Sequence, residues 1–180
     1  MIIFYTTLLV NFLLFSLTAW SIFFPKKRVW PPPYKSSWQY YIYWGLFYFG
    51  IALTTILVIL NYNSWVILNE IRYFLGIPLI STGLILLCFG IYTLGIKNTY
   101  GLKDGFKIKS IYKYTRNPQY VGDVIMLTGL IVFLNSADLT IIFLIQILTF
   151  IIMPFTEEIW LEEKYGVEYL NYKQKTSRFI

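Results

Sequence analysis

The chain has no histidine, one cysteine and few charges: 13% of its 180 residues are charged, against 57% hydrophobic. Each shortage removes a class of function. Without histidine there is no His-based triad, no imidazole metal ligand and no histidine pH switch. A single cysteine, Cys88, excludes a disulfide framework, thiolate zinc sites, iron–sulfur clusters and c-type haem attachment. No metal site is expected. Lying in an apolar run, Cys88 itself reads as a small buried hydrophobe. A soluble domain carries roughly 25% charged residues. The low charged share and the mean hydropathy of +0.60 therefore argue against a soluble globular protein. The length allows about one domain.

What the chain has in abundance is apolar length. About 20 apolar residues cross a bilayer as a helix. The first such run is Ile2 to Phe24, and the second about Tyr40 to Leu60. The third is about Ile71 to Ile96, broken by Pro78 and with Arg72 at its edge. The fourth, about Tyr120 to Leu134, is short and carries Asp123; the fifth is about Leu139 to Phe155. The expected fold is an all-α integral membrane protein of about five transmembrane helices with a C-terminal amphipathic helix. The first run does not read as a cleaved signal peptide, because Lys26, Lys27 and Arg28 follow it and no basic residue precedes it.

The charges sort with this count. Fourteen of the 15 basic residues fall on one side of the five spans, and only Arg72 on the other. The positive-inside rule then puts the N-terminus outside and the C-terminus in the cytosol. The net charge of +6 is read as topology, so no nucleic-acid partner is expected. The many Ile, Asn and Lys residues suggest an AT-rich genome and lean toward a microbial plasma membrane. Gly76, Gly83 and Gly90 recur every seven residues, as do Gly122 and Gly129. Two helical turns separate the members of each set, so each lies along one face and suits close helix packing. Trp30, Pro31, Pro32, Pro33 and Trp38 read as a stiff interfacial loop.

Two polar clusters sit at the same ends of spans four and five. The first runs from Tyr112 to Asp123, with Pro118 suited to a helix start, Arg116 just before the span, and Tyr120 and Asp123 one and two turns inside. Asp123 reads as a snorkelling acid or the partner of a loop lysine. The second runs from Pro154 to Gly166 and holds Glu157 and Glu158 at a membrane exit. Topology does not account for that pair, whereas Glu162 and Glu163 read as solvated acids. Glu158, Glu162, Tyr165, Tyr169 and Tyr172 are spaced as one helical stripe that Gly166 can interrupt. The short connection around Asn135 to Asp138 makes spans four and five antiparallel neighbours. Arg116, Tyr120, Glu157 and Glu158 are therefore expected at one level.

These residues carry a resemblance. The chain resembles the membrane methyltransferases that include isoprenylcysteine carboxyl methyltransferases and phospholipid N-methyltransferases. The family's Tyr-x-x-x-Arg-His-Pro-x-Tyr-x-Gly reads here from Tyr112 to Gly122, its Glu-Glu-x-x-Leu as Glu157 to Leu161, and its Gly-x-x-Tyr-x-x-Tyr as Gly166 to Tyr172. Asn117 stands where the family has histidine. The resemblance implies S-adenosylmethionine as methyl donor, bound by Tyr112, Arg116, Asn117, Pro118, Tyr120, Gly122, Glu157 and Glu158, with Arg116 and Glu158 as the catalytic pair. It implies methyl transfer to a lipophilic or prenylated acceptor, through a carboxyl or an amine, at the cytosolic membrane face. The whole of 1–180 would be one membrane domain, with 1–95 supplying spans one to three and 96–180 the cofactor-binding half. A second resemblance, to sterol C14-type reductases, rests on Tyr120-Val121-Gly122-Asp123 and Lys164-Tyr165-Gly166. It would imply NADPH and reduction of a lipid double bond. A non-catalytic membrane protein is the third reading; it would need neither the arginine nor the paired carboxylates.

Overall fold

The structure is a computed structural model; it describes residues 1–64 and 69–179. The described residues form helices and connecting turns, with a lone bridge between Thr115 and Ser177. The helices are α1 (Ile2–Phe23), α2 (Trp38–Asn61), α3 (Asn69–Leu94), α4 (Ile96–Thr99), α5 (Pro118–Leu134), α6 (Ala137–Tyr165) and α7 (Val167–Lys175). Four of them, α1, α2, α3 and α6, are long and apolar enough to cross a membrane, and α5 is a shorter apolar helix. The chain is a multi-pass membrane protein. A helix suits such segments because it satisfies every backbone polar group internally where no water is available.

Glycine sets the tightest contact. Gly76 meets Phe133, Gly83 meets Met126 and Gly90 meets Gln119, so α3 and α5 run antiparallel in one unbroken register. At each step the α3 partner moves up seven residues and the α5 partner down seven. A Cβ on Gly122 would sit 2.6 Å from the Leu87 nitrogen, and one on Gly129 would sit 2.7 Å from the Ile80 nitrogen. Only hydrogen fits between the two backbones. Close approach of this kind replaces the hydrophobic drive that lipid cannot supply. The expected packing role of both glycine sets is the observed one.

The second group is α1, α2 and α6, which pack on one another. Thr18 Oγ1 lies 2.9 Å from Tyr43 Oη, joining α1 to α2. Gln146 Nε2 donates to Asn11 Oδ1 at 3.0 Å, joining α6 to α1. The turn between α5 and α6 ties the groups at one end of the bundle. Asn63 nitrogen donates to the Leu134 carbonyl at 2.9 Å, and Asn61 Nδ2 donates to Asp138 Oδ2 at 3.1 Å. Arg72 is buried there, donates to Asn63 Oδ1 at 2.7 Å and lies over the Tyr62 and Tyr73 rings.

Three expectations change. Cys88 is exposed on the outer surface of the bundle, because it faces away from the α3–α5 seam. Trp30 is buried rather than interfacial: Ser21 Oγ accepts from the Val29 and Trp30 nitrogens, which folds the loop under the end of α1 and stacks Trp30 on Tyr43 at 4.7 Å. The helix that carries the fifth span does not stop with the apolar run near Phe155. At ~1.5 Å per residue the 29 residues of α6 run about 43 Å, past a hydrocarbon core of roughly 30 Å. Its last turns carry the acidic cluster as one continuous helix. Gly166, at φ 51°, then breaks the stripe and starts α7.

The glycine seam predicts an ordering of substitutions. Gly122→Ala, which places a methyl against the α3 backbone, should lower the melting temperature in detergent by several degrees, since overpacking costs about 1–3 kcal/mol. Gly45→Ala on α2, where a Cβ meets nothing within 4 Å, should leave it unchanged or slightly higher.

Candidate active site

The site forms where α5 begins, α6 overshoots and the tail returns. A 3-10 turn, Ser110–Lys113, leads to α5, whose first residue Pro118 needs no partner for a missing N–H. Asn117 precedes it but does not cap it; its Nδ2 donates to the Arg178 carbonyl at 3.0 Å. The Arg116 nitrogen donates to the Ser177 carbonyl at 3.0 Å. The residues after α7 thus lie along Thr115 to Asn117 and fix the backbone on which Arg116 stands.

Glu158 is the centre of charge. Arg178 grips it with both arms of its guanidinium, Nε to Oε1 at 2.7 Å and Nη2 to Oε2 at 2.9 Å. Arg116 Nη2 approaches Oε1 at 3.2 Å and Lys173 Nζ approaches Oε2 at 3.5 Å. Lys173 also pairs with Glu162. The Glu158 side chain is 6% exposed and that of Arg116 8%. Hydrogen bonding to Glu158 holds the Arg178 guanidinium above its usual basicity, and Arg178 also lies 4.0 Å over the Phe155 ring. Both oxygens of Glu158 are taken by protein cations. Arg116, however, is only partly used: its Nε and Nη1 are buried and have no hydrogen-bond partner among the described residues. A guanidinium carries five donors, and buried donors without partners are rare enough to need a reason.

Glu157 has a different setting. Trp30 Nε1 donates to its Oε1 at 3.0 Å, and the Tyr120 hydroxyl donates to the same oxygen. Among the described residues no cation pairs with it. The second carboxylate of the pair is thus held by neutral donors, one from each side of the bundle.

Around these groups is a pocket of about 790 Å³ including its open mouth. Aromatic rings form one wall: Phe106 stacks on Tyr165 at 5.0 Å and meets Tyr169 and Tyr172 edge-on. Tyr172 donates to the Tyr112 carbonyl at 2.5 Å, and Gln119 Nε2 donates to the Tyr112 hydroxyl at 3.0 Å. Burial pushes the Tyr172 hydroxyl up to about 12 and raises Tyr112 and Tyr169 as well, so the wall is neutral at ordinary pH. Gly101, at φ 72°, lets the lysine-rich loop turn against Pro31 and Pro32, where a Cβ would be 2.9 Å from Pro32 Cδ.

Of the residues picked out in the sequence, Tyr112, Arg116, Asn117, Tyr120, Glu157 and Glu158 line this one pocket. Pro118 is buried at the head of α5, behind the lining. Gly122 is on the opposite face of α5, against Gly83 and Leu87, and serves packing. Sequence reasoning missed Trp30, Gln119, Lys173 and Arg178. Arg178 looked like one more tail cation, and nothing local distinguished it.

A bundle of apolar helices with a polar, aromatic-walled pocket at the helix ends defines a multi-pass membrane protein with a candidate site at one end. The Phospholipid methyltransferase family model matches residues 71–168, more than half of the chain, and the chain belongs to this family. The family is one of membrane methyltransferases, and its substrates are lipids. The match begins in α3 and stops at the start of α7, so Trp30 and Arg178 lie outside it. Searches of curated proteins and of solved structures find no match to the chain.

The grip of Arg178 on Glu158 has a testable cost. Arg178→Gln should release the tail from the Thr115–Asn117 segment, and limited proteolysis should then cut after α7 at least tenfold faster. A charge-assisted hydrogen bond contributes about 1.5–3 kcal/mol, enough for such a change. Unchanged cleavage would mean that the backbone contacts alone hold the tail.

Proposed function

We propose that the protein is an S-adenosylmethionine-dependent methyltransferase acting on a lipophilic or prenylated acceptor at the cytosolic face of the membrane. The observation that carries this reading is Arg116. Its buried Nε and Nη1 have no hydrogen-bond partner among the described residues, and it lines a pocket beside two carboxylates and a tyrosine wall. When bound, S-adenosylmethionine supplies a methyl group on a cationic sulfur.

The residues fit such a molecule. The free donors of Arg116 suit its carboxylate, for which a guanidinium is matched in shape. Three cations surround Glu158, so the cluster takes up one further anion without repulsion. Aromatic faces suit a sulfonium and a flat base. Glu157, bound by neutral donors on Oε1, keeps its other oxygen for a hydroxyl or ammonium donor. In this arrangement Arg116 and Glu157 touch the ligand, and Glu158 acts through Arg116 as a positioning residue. Direct methyl transfer depends chiefly on alignment of the reacting atoms, so a chain without histidine is adequate to it. The tail, α7 and the lysine-rich loop exclude water from the pocket, while the acceptor approaches between the helices. The basic residues gathered at this end support a cytosolic site.

The family match favours this reading over the NADPH-dependent reductase. Calorimetry on purified protein separates them. S-adenosylhomocysteine should bind and NADPH should not. Arg116→Lys, which keeps the charge and loses the fork, should weaken that binding at least tenfold, about 1.4 kcal/mol. Glu157→Gln should weaken it less, because the amide still accepts from Trp30 and Tyr120. Folded protein that binds NADPH, or binds neither ligand, would overturn the proposal.

A further inference from the structure

The pocket beside Arg116 has two ends of different character. At one end stand the charges, Arg116 and the paired carboxylates of α6. The other end lies against α4 and the loop after it, where Leu94, Asn98, Thr99, Gly101 and Gln119 line it. Phe106, stacked on Tyr165, stands in the wall that joins the two. Lys107, the cation on this loop, is drawn to Asp104 at 3.7 Å.

The polar side chains of this second end are engaged, with one exception. Asn98 is used completely. Its Nδ2 donates to the Leu94 and Gly105 carbonyls at 3.2 and 3.1 Å, and its Oδ1 accepts from the Asp104 nitrogen at 2.8 Å. Gln119 is used on one side. Its Nε2 donates to Thr99 Oγ1 at 3.2 Å and to the Tyr112 hydroxyl at 3.0 Å. Chemistry fixes that orientation. Thr99 gives its own proton to the Gly95 carbonyl at 3.1 Å, and Tyr112 gives its proton to the Gly90 carbonyl at 3.5 Å. A hydroxyl has a single proton, so both present lone pairs to Gln119 and the amide nitrogen must face them. The amide oxygen is thereby turned away from both, and it has no hydrogen-bond partner among the described residues. The residue is only 9% exposed, and its Cγ is pressed against Gly90, where a Cβ would come within 2.7 Å. A buried acceptor held in one orientation without a donor needs a reason.

We propose that Gln119 reads the base of the methyl donor: its Oε1 accepts a hydrogen bond from the amine on carbon 6 of the purine, and a carbonyl at that position is turned away. This rests on the methyltransferase reading and deepens it. The donor's amino-acid part lies on Arg116 at the charged end, and its base lies at the neutral end beside Phe106. Gln119 takes no part in methyl transfer. It is a specificity residue, held in one sense by Thr99 and Tyr112. A site built for one hydrogen-bond sense rejects a ligand that leaves its buried polar group unpaired.

The test is calorimetry on the full-length protein in detergent. Three ligands share the ribose and amino-acid parts and differ at carbon 6: S-adenosylhomocysteine with an amine, its analogue with hydrogen there, and S-inosylhomocysteine with a carbonyl. Affinity should fall in that order, by at least tenfold from first to last. Gln119→Met, similar in length and without an amide, should bring the amine-to-carbonyl ratio to within threefold of one. A merely structural Gln119 would weaken all three ligands alike and leave the ratio unchanged. Tyr112→Phe removes the hydroxyl that orients the amide and should also narrow the ratio, so the test does not depend on one variant folding. Equal affinity of the wild type for the amine and carbonyl ligands, or a ratio that survives both substitutions, would overturn the proposal. The two readings fail separately. Binding of all three ligands without preference sinks the Gln119 assignment alone, whereas S-adenosylhomocysteine that does not bind to folded wild type sinks the methyltransferase reading.

Discussion

Glu158 is the interaction on which the site depends. One buried carboxylate near the exit of α6 is shared by Arg116 from the start of α5, Lys173 from α7 and Arg178 from the tail. Four separate pieces of chain converge there. A buried charge left without a partner costs about 3–5 kcal/mol, so the shared carboxylate favours the arrangement in which the four pieces meet. With three cations to one shared acid, only Glu162 beside Lys173 eases the imbalance. Arg116 gives Glu158 one of its arms, and its Nε and Nη1 have no hydrogen-bond partner among the described residues. In the proposed reading, the cluster that holds the tail also offers Arg116 to an anion.

The helices make that convergence possible. Glycine brings α3 and α5 to backbone contact, which fixes the height at which Arg116 and Tyr120 emerge. The buried Trp30, carried beneath α1 and stacked on Tyr43, reaches across to Glu157 from the other group. Glu157 and Tyr120 therefore stand where the two helix groups meet, joined by a hydrogen bond.

Much of this was legible in the sequence because the signals were local or periodic. Apolar length gave the helices, and seven-residue glycine spacing gave the α3–α5 seam. The motif around Arg116 and the adjacent carboxylates gave six residues of one pocket. What was not legible depended on long-range contact. Trp30 looked interfacial because tryptophan often is, whereas the Ser21 hydroxyl, the Tyr43 ring and the Glu157 carboxylate hold it inside. Arg178 looked like topology because a tail arginine usually is. Glu158 was expected to act on the ligand, and its spacing could not reveal that three cations already occupy it. Gly122 shares the motif with Tyr120 but points the other way, toward α3, as residues two apart on a helix do.

The central claim is that Glu158 serves the ligand only through Arg116. A double-mutant cycle tests it directly. The affinity for S-adenosylhomocysteine is measured for wild type, Glu158→Gln, Arg116→Gln and the double variant. The account predicts that Glu158→Gln weakens binding at least tenfold in the wild-type background and has almost no further effect once Arg116 is gone. An equal loss in both backgrounds would show that Glu158 contacts the ligand itself, and would contradict the account.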